Sequence, residues 1–161
     1  MKNLIIAKHG HYNRNRRDST VDLTVVGIKQ VKMLASVVKK VASGTVAVVS
    51  SNTPQSYISA RIIARAFGIY ISVKVEPSLE GEYARDVMPI LQRHDTIDSL
   101  VIVCGRNMTA AIPMHMTYSA YGEAHQFPKL TAGHAYHWDE KRKIWIRLPE
   151  EKIVYNLEET P

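Results

Sequence analysis

Short runs rich in Val and Ile alternate along this chain with longer segments of helical period, and no other feature constrains the fold as much. The runs are "LIIA" (4–7), "TVAVVS" (45–50), "YISVKV" (70–75) and "SLVIVCG" (99–105), each bounded by turn residues. Nearly continuous apolar strands of this kind suit a sheet covered by helices on both faces. Between them, "VVGIKQVKMLASVVKKVA" (25–42) sets Ile28, Val31, Leu34, Ala35 and Val38 on one helical face, with Lys29, Lys32, Lys39 and Lys40 largely elsewhere. "SYISARIIARAFG" (56–68) reads as a second helix stopped by Gly68, and residues 84–93 and 108–119 are weaker helical candidates. The alternation predicts an α/β three-layer sandwich, with a mostly parallel central sheet flanked by helices. The end of the chain breaks the pattern. "HAYHWDEKRKIWIRL" (134–148) places two β-prone runs around a charged turn, the signature of a C-terminal β-hairpin, and the acidic tail from Pro149 lacks obvious periodicity after Ile153. No repeat, low-complexity stretch or linker interrupts the chain, so one domain over 1–161 is expected.

Composition narrows the class further. A chain of 161 residues can bury a full core, and 45% hydrophobic with 22% charged residues is ordinary for a soluble globular protein. No apolar run approaches the roughly 18 residues that would cross a bilayer. The apolar part of "MKNLIIAKHG" is too short, and too soon interrupted by charge, for a signal peptide. The lone Cys104 excludes an internal disulfide framework and fits a reducing compartment, so a cytoplasmic location is expected. The formal net charge of +6 favours anionic partners without specifying their chemistry.

In an open α/β sheet, ligands gather beyond the carboxyl ends of the strands. The residues that follow the four predicted strands are Lys8, His9 and Gly10; Ser50, Ser51, Asn52 and Gln55; Glu76, Glu80 and Glu82; and Gly105, Arg106 and Asn107. Brought to one rim, they would form a positive, donor-rich cup with a histidine at its base and carboxylates at one side. Phosphoryl transfer needs such a set: a nucleophile, donors for the phosphate oxygens and an acid for the leaving group.

Five segments, in order, resemble the histidine phosphatase superfamily (phosphoglycerate-mutase-like), and most closely its short phosphohistidine phosphatase branch. "LIIAKHG" is similar to the family's first strand ending in Arg-His-Gly, whose histidine becomes phosphorylated. "LTVVGIKQ" (23–30) resembles its Leu-Thr-x-x-Gly-x-x-Gln helix start, and "VVSSNTPQSYISARIIA" (48–64) its Ser-Ser-Pro-x-x-Arg-Ala segment. "VIVCGRNM" (101–108) resembles its strand ending Val-Gly-His-Asn-Pro, and "LTAGHAYHWDEKRKIWIRL" the closing hairpin of the short branch. The resemblance implies that His9 is the nucleophile and that Lys8, Asn15, Gln55 and Arg106 hold the phosphoryl group. It places the general acid in the loop after the third strand, where Glu80 is favoured over Glu82. It implies no metal and no cofactor.

Three of these positions depart from the family pattern. Lys8 stands where the family has its first arginine, Gln55 its second arginine, and Arg106 its second histidine. Lys8 and Arg106 keep a cation, so the pocket should still attract an anion. Lysine is a point charge without the bidentate fork of arginine, and the neutral amide of Gln55 makes weaker hydrogen bonds than a charged donor. Losing one preorganised donor to a developing charge costs on the order of a hundred- to a thousandfold in rate. A degenerate site is therefore expected, binding phosphate with weak or lost phosphatase activity, on a phosphorylated small molecule or phosphoprotein.

The competing expectation is a non-catalytic module. It would hold a phosphorylated partner at His9, Lys8 and Arg106, with the basic run Arg14, Arg16 and Arg17 at its rim. Nucleic acid ranks below these partners, since Tyr12 is the lone aromatic among the basic residues. No membrane partner is expected, and the oligomeric state is open. Other signals are weaker. "CGRNMTA" (104–110) lacks the arginine six residues after cysteine that a cysteine phosphatase loop needs, because Ala110 is there. Cys104 reads as a small buried apolar residue. His134 and His137, three apart on a strand, point to opposite faces and make a poor metal pair. No Gly-x-x-x-x-Gly-Lys-Ser/Thr loop occurs.

Overall fold

The computed structural model describes residues 1–15, 20–68, 72–80, 84–122 and 124–157. The chain begins with β1 (Asn3–Lys8), whose first five residues are buried. A small ribbon follows, β2 (Tyr12–Arg14) paired antiparallel with β3 (Val21–Leu23). α1 (Val25–Val41) starts where Thr24, in extended conformation, accepts the Gly27 N–H with its hydroxyl. Its last turn carries Lys39 and Lys40, which complement the negative end of the helix dipole. β4 (Val46–Ser50) leads directly into α2 (Pro54–Phe67). This helix starts two residues before the run read from the sequence, because Pro54 is tolerated in a first turn where its missing N–H costs nothing.

β5 (Val73–Val75) is the described part of the third predicted strand; residues 70 and 71 of that run lie outside the described residues. The weak helical candidate at 84–93 resolves into a 3-10 turn over 84–87 and the short α3 (Met88–Arg93). β6 (Ser99–Cys104) is wholly buried, and α4 (Arg106–Tyr121) is longer than its pattern suggested. Pro113 inside α4 blurs the pattern, and Gly122 in the left-handed region (φ 72) ends the helix. β7 (Ala135–Asp139) and β8 (Ile144–Leu148) form the expected hairpin, and β9 (Lys152–Asn156) adds a third antiparallel strand. The register shifts between Trp145 and Ile146, so β9 does not show a clean alternation, although Tyr155 reaches the core.

Apart from the β2–β3 ribbon, the strands form one seven-stranded sheet, ordered β5-β4-β6-β1-β7-β8-β9. The first four run parallel and the last three join antiparallel. Side chains alternate across it, giving two cores. Ile5, Ala7, Val48, Val101 and Val103 pack with α1 and α2 on one face. Leu4, Ile6, Val49, Leu100 and Ile102 pack with α3 and α4 on the other. Among the described residues, no helix is long and apolar enough to cross a membrane. Strand register aligns Lys8 with Cys104 and Ser50 with Val103, so β1, β4 and β6 end together at one rim.

Candidate active site

The first turn beyond β1 is held by two helices. Gly10 donates its N–H to Ser59 Oγ on α2 (3.0 Å), and Ser59 donates in turn to the Gln55 carbonyl (2.7 Å). On the other side α1 presses on the turn so closely that a Cβ at Gly10 would lie 2.6 Å from the Gly27 carbonyl oxygen. A Cβ at Gly27 would fall 2.0 Å from the carbonyl oxygen of His11. Glycine at both positions is what lets the backbones meet. His11 then donates its N–H to Gln30 Oε1 (3.1 Å) and accepts from the Thr24 N–H (3.0 Å). The segment "LTVVGIKQ" is thus a clasp: Thr24 caps the helix, Gly27 makes room and Gln30 takes up the free donor of the turn.

His9 is 5% exposed at the centre of this clasp. Its Nδ1 faces the Gly10 carbonyl (3.0 Å), which can only accept, so Nδ1 carries the ring proton. Its Nε2 faces Lys8 Nζ at 2.6 Å, and an ammonium can only donate, so Nε2 presents its lone pair. Burial lowers the His9 pKa to about 4, opposed by the Gly10 carbonyl and assisted by the Lys8 charge. At neutral pH the ring is therefore a neutral imidazole with an electron pair on Nε2. Tyr12 packs edge-to-face on it, with centroids 5.2 Å apart.

Lys8 is half-buried, and burial lowers its pKa; Cys104 acts in the opposite sense and the Arg106 charge adds to the lowering. Arg106 is exposed at the first position of α4, after β6. Two cations and a neutral histidine thus lie at the sheet end, a positive setting in which the Nε2 electron pair of His9 faces the Lys8 ammonium. Cys104 is fully buried on β6 in register with Lys8, and burial pushes its thiol up to about 12, which leaves it a packing residue.

Lys8 contacts His9 directly, the backbone carbonyl of Gln55, not its side-chain amide, is linked to the His9 turn through Ser59, and Arg106 begins α4 just beyond β6, the strand in register with Lys8. Asn15 and Glu80 lie on flanking segments. Asn15 is exposed just past β2 and donates its N–H to the Thr20 carbonyl. Glu80 is exposed at the end of a 3-10 turn over 77–80, while Glu82, Arg16 and Arg17 lie outside the described residues. Glu76 is committed elsewhere. It is opposed by burial, but Arg93 (2.8 Å) and Lys74 (3.4 Å) hold its carboxyl below the ordinary range. Sequence reasoning passed over Ser59, weighed Tyr12 only as an aromatic among basic residues, and weighed His134 only as a metal ligand, whereas its carbonyl accepts the Lys8 N–H (2.9 Å). Nothing in the local sequence distinguishes Ser59 from its neighbours on α2; only the fold brings it to Gly10.

No family model and no curated protein matches the sequence. Solved structures do match. The SixA-type protein of Agrobacterium tumefaciens is 11% identical with a TM-score of 0.66, over 99% of each chain. The chain shares its fold with this phosphohistidine phosphatase structure. A protein histidine phosphatase SixA complexed with tungstate is 18% identical with a TM-score of 0.66, covering 86% of this chain and 90% of that one. A mycobacterial glucosyl-3-phosphoglycerate phosphatase in complex with VO3 is 14% identical with a TM-score of 0.65, covering 97% and 99%. At these identities the likeness is one of fold, and within that histidine phosphatase fold the chemistry rests on the residues described above.

Proposed function

We propose that this chain binds a phosphoryl group over His9, with phosphatase activity through a phosphohistidine intermediate that is weak or lost. The contact that carries the reading is Lys8 Nζ to His9 Nε2, 2.6 Å, with Nδ1 committed to the Gly10 carbonyl. The imidazole has the tautomer a nucleophile needs, yet the ammonium covers the electron pair that would attack. For turnover, Lys8 must leave Nε2 for a phosphate oxygen. Nε2 then bonds to phosphorus as the bond to the leaving group breaks, and Glu80 protonates that group. Water attacks the phosphorus of the phosphohistidine, releasing inorganic phosphate and restoring the neutral ring. Lys8, Gln55, Arg106 and Asn15 would hold the phosphoryl oxygens. Lysine and glutamine in place of guanidinium forks weaken that grip, which favours slow chemistry.

The same contact supports a second reading, a non-catalytic module for a phosphorylated small molecule or phosphoprotein. There Lys8 and Arg106 attract the anion and Lys8 never releases Nε2. Incubation with a phosphohistidine peptide and with an aryl phosphate separates the two. Slow release of phosphate, abolished in His9→Ala, supports the enzyme. Binding of inorganic phosphate without turnover, weakened tenfold or more in Lys8→Met by loss of a charge-assisted bond, supports the module. Rapid turnover that survives His9→Ala overturns both.

A further inference from the structure

The net positive charge of this protein is confined to one stretch of chain. Residues 23–75 hold seven Lys or Arg and no Asp or Glu, whereas the other residues hold 14 of the first kind and 15 of the second. The segment carries +7 and the remainder −1. Folding gathers that charge on one face. Six of the seven, Lys29, Lys32, Lys39 and Lys40 on α1 with Arg61 and Arg65 on α2, are exposed, and none has an acidic partner among the described residues. At 100° per residue the four lysines of α1 fall within one outward arc, and Tyr57, Arg61 and Arg65 form a line at i, i+4, i+8 on α2. The buried residues of both helices lie on their opposite sides, in the core with β1, β4 and β6. By contrast, Lys2, Lys74, Arg93, Arg142, Lys143 and Arg147 all pair with a carboxylate.

We propose that the outer α1–α2 face is the docking surface for an acidic protein partner. Charge complementarity selects the sign, since a field of six exposed cations steers and holds a polyanion. The apolar residues on the same face select a protein. Val25 (71% exposed), Val26 (59%) and Met33 (66%) lie among the lysines of α1, and Tyr57 sits beneath Arg61 on α2. A phosphodiester backbone offers nothing to cover two valines and a methionine, while a protein surface does. A bilayer would require larger inserting side chains, such as Trp, Phe or Leu, on a continuous apolar face, and on α1 and α2 cations interrupt it. The face also runs up to the candidate site: Thr24 and Gly27 of α1 and Ser59 of α2 hold the turn that carries His9. That this partner also presents the phosphoryl group rests on the proposed function above; the docking itself does not.

The test uses the whole chain and probes without phosphoryl groups, so that failure of the His9 reading leaves it intact. A labelled helical peptide rich in Glu, a single-stranded DNA oligomer, and vesicles of phosphatidylserine in phosphatidylcholine are titrated separately. The peptide should bind most tightly, lose affinity with added salt, and be unaffected by His9→Ala. Reversing Lys29, Lys32, Arg61 and Arg65 to Glu should weaken it about a hundredfold, with the far-ultraviolet spectrum unchanged. If that variant fails to fold, Lys29→Glu with Lys32→Glu should give about a tenfold loss. Reversing Lys129, whose neighbours Phe127 and Leu130 belong to the core on the opposite side of the sheet, should move affinity less than about twofold. Affinity untouched by the reversals on α1 and α2, or tighter binding of DNA or vesicles than of peptide, overturns the proposal.

Discussion

Lowering the pH should destabilise the protein through His9 by an amount that can be worked from its surroundings. In the unfolded chain the imidazole titrates near 6.5, and in the fold near 4. The depressed value means that the unfolded state binds more protons between these limits, so stability is full above pH 6.5 and is lost as pH falls. The contribution lost relative to neutral pH is about 2 kcal/mol at pH 5 and about 3 kcal/mol at pH 4. His137 is depressed in the same direction by its own burial, so the total loss will exceed these figures. Urea unfolding of the wild type and of His9→Gln, each at neutral pH and at pH 5, isolates the His9 share. The variant should be less stable at neutral pH but should lose about 2 kcal/mol less than the wild type on acidification. An equal loss in both proteins would refute the burial argument, as would a His9 proton resonance titrating near 6.5.

The clasp around His9 makes further tests. Gly27→Ala drives a Cβ into the His11 carbonyl, at 2.0 Å, and should cost about 2–3 kcal/mol in urea unfolding and weaken binding of phosphate. Ser59→Ala leaves the buried Gly10 N–H without its acceptor and should cost about 1–3 kcal/mol by the same measurement. Cys104, fully buried with its thiol pushed up to about 12, should resist Ellman's reagent at pH 8 in the native protein and react fully in urea.

The parallel half of the sheet was legible in the sequence because each of its strands is an uninterrupted apolar run between turn residues. β6, buried at every position, is the plainest case. β9 was not, since it is an edge strand with Lys152 and Ile153 outward and a shifted register opposite Trp145. Pro113 similarly obscured α4, which tolerates it within a well-packed helix. At the site, Lys8, His9, Gln55 and Arg106 could be placed at one rim because the strand-end rule locates them without any contact being known. What the chain could not reveal was the direction of the Lys8 side chain. Adjacent residues within a strand face opposite ways, and only the end of β1 at Lys8 frees it to turn toward the next ring. The clasp residues were visible as a motif, but their work depends on a backbone approach between α1 and the turn after β1, which sequence spacing does not encode.

On the proposed function, the lysine at position 8 decides how the site behaves. On that reading one ammonium would both attract the phosphoryl group and uncover the electron pair that attacks it. Moving from imidazole to an anionic oxygen trades a neutral acceptor for a charged one, and such bonds are roughly twice as strong. An arriving phosphate can thus draw Lys8 off Nε2 at little net cost, but the phosphate gains only a point contact in return. Lys8→Arg separates these two effects. A guanidinium grips phosphate bidentately and, being planar and spread over three nitrogens, is poorly shaped to sit end-on against Nε2. If the Lys8–His9 contact is what limits the chemistry, the variant should form phosphohistidine at His9 about a hundred- to a thousandfold faster, the share expected from one restored donor. Mass spectrometry of the trapped protein after a single exposure to a phosphohistidine peptide reads this directly. No gain in the arginine variant would move the limiting defect to Gln55 and Arg106, and would refute the idea that Lys8 holds the nucleophile back.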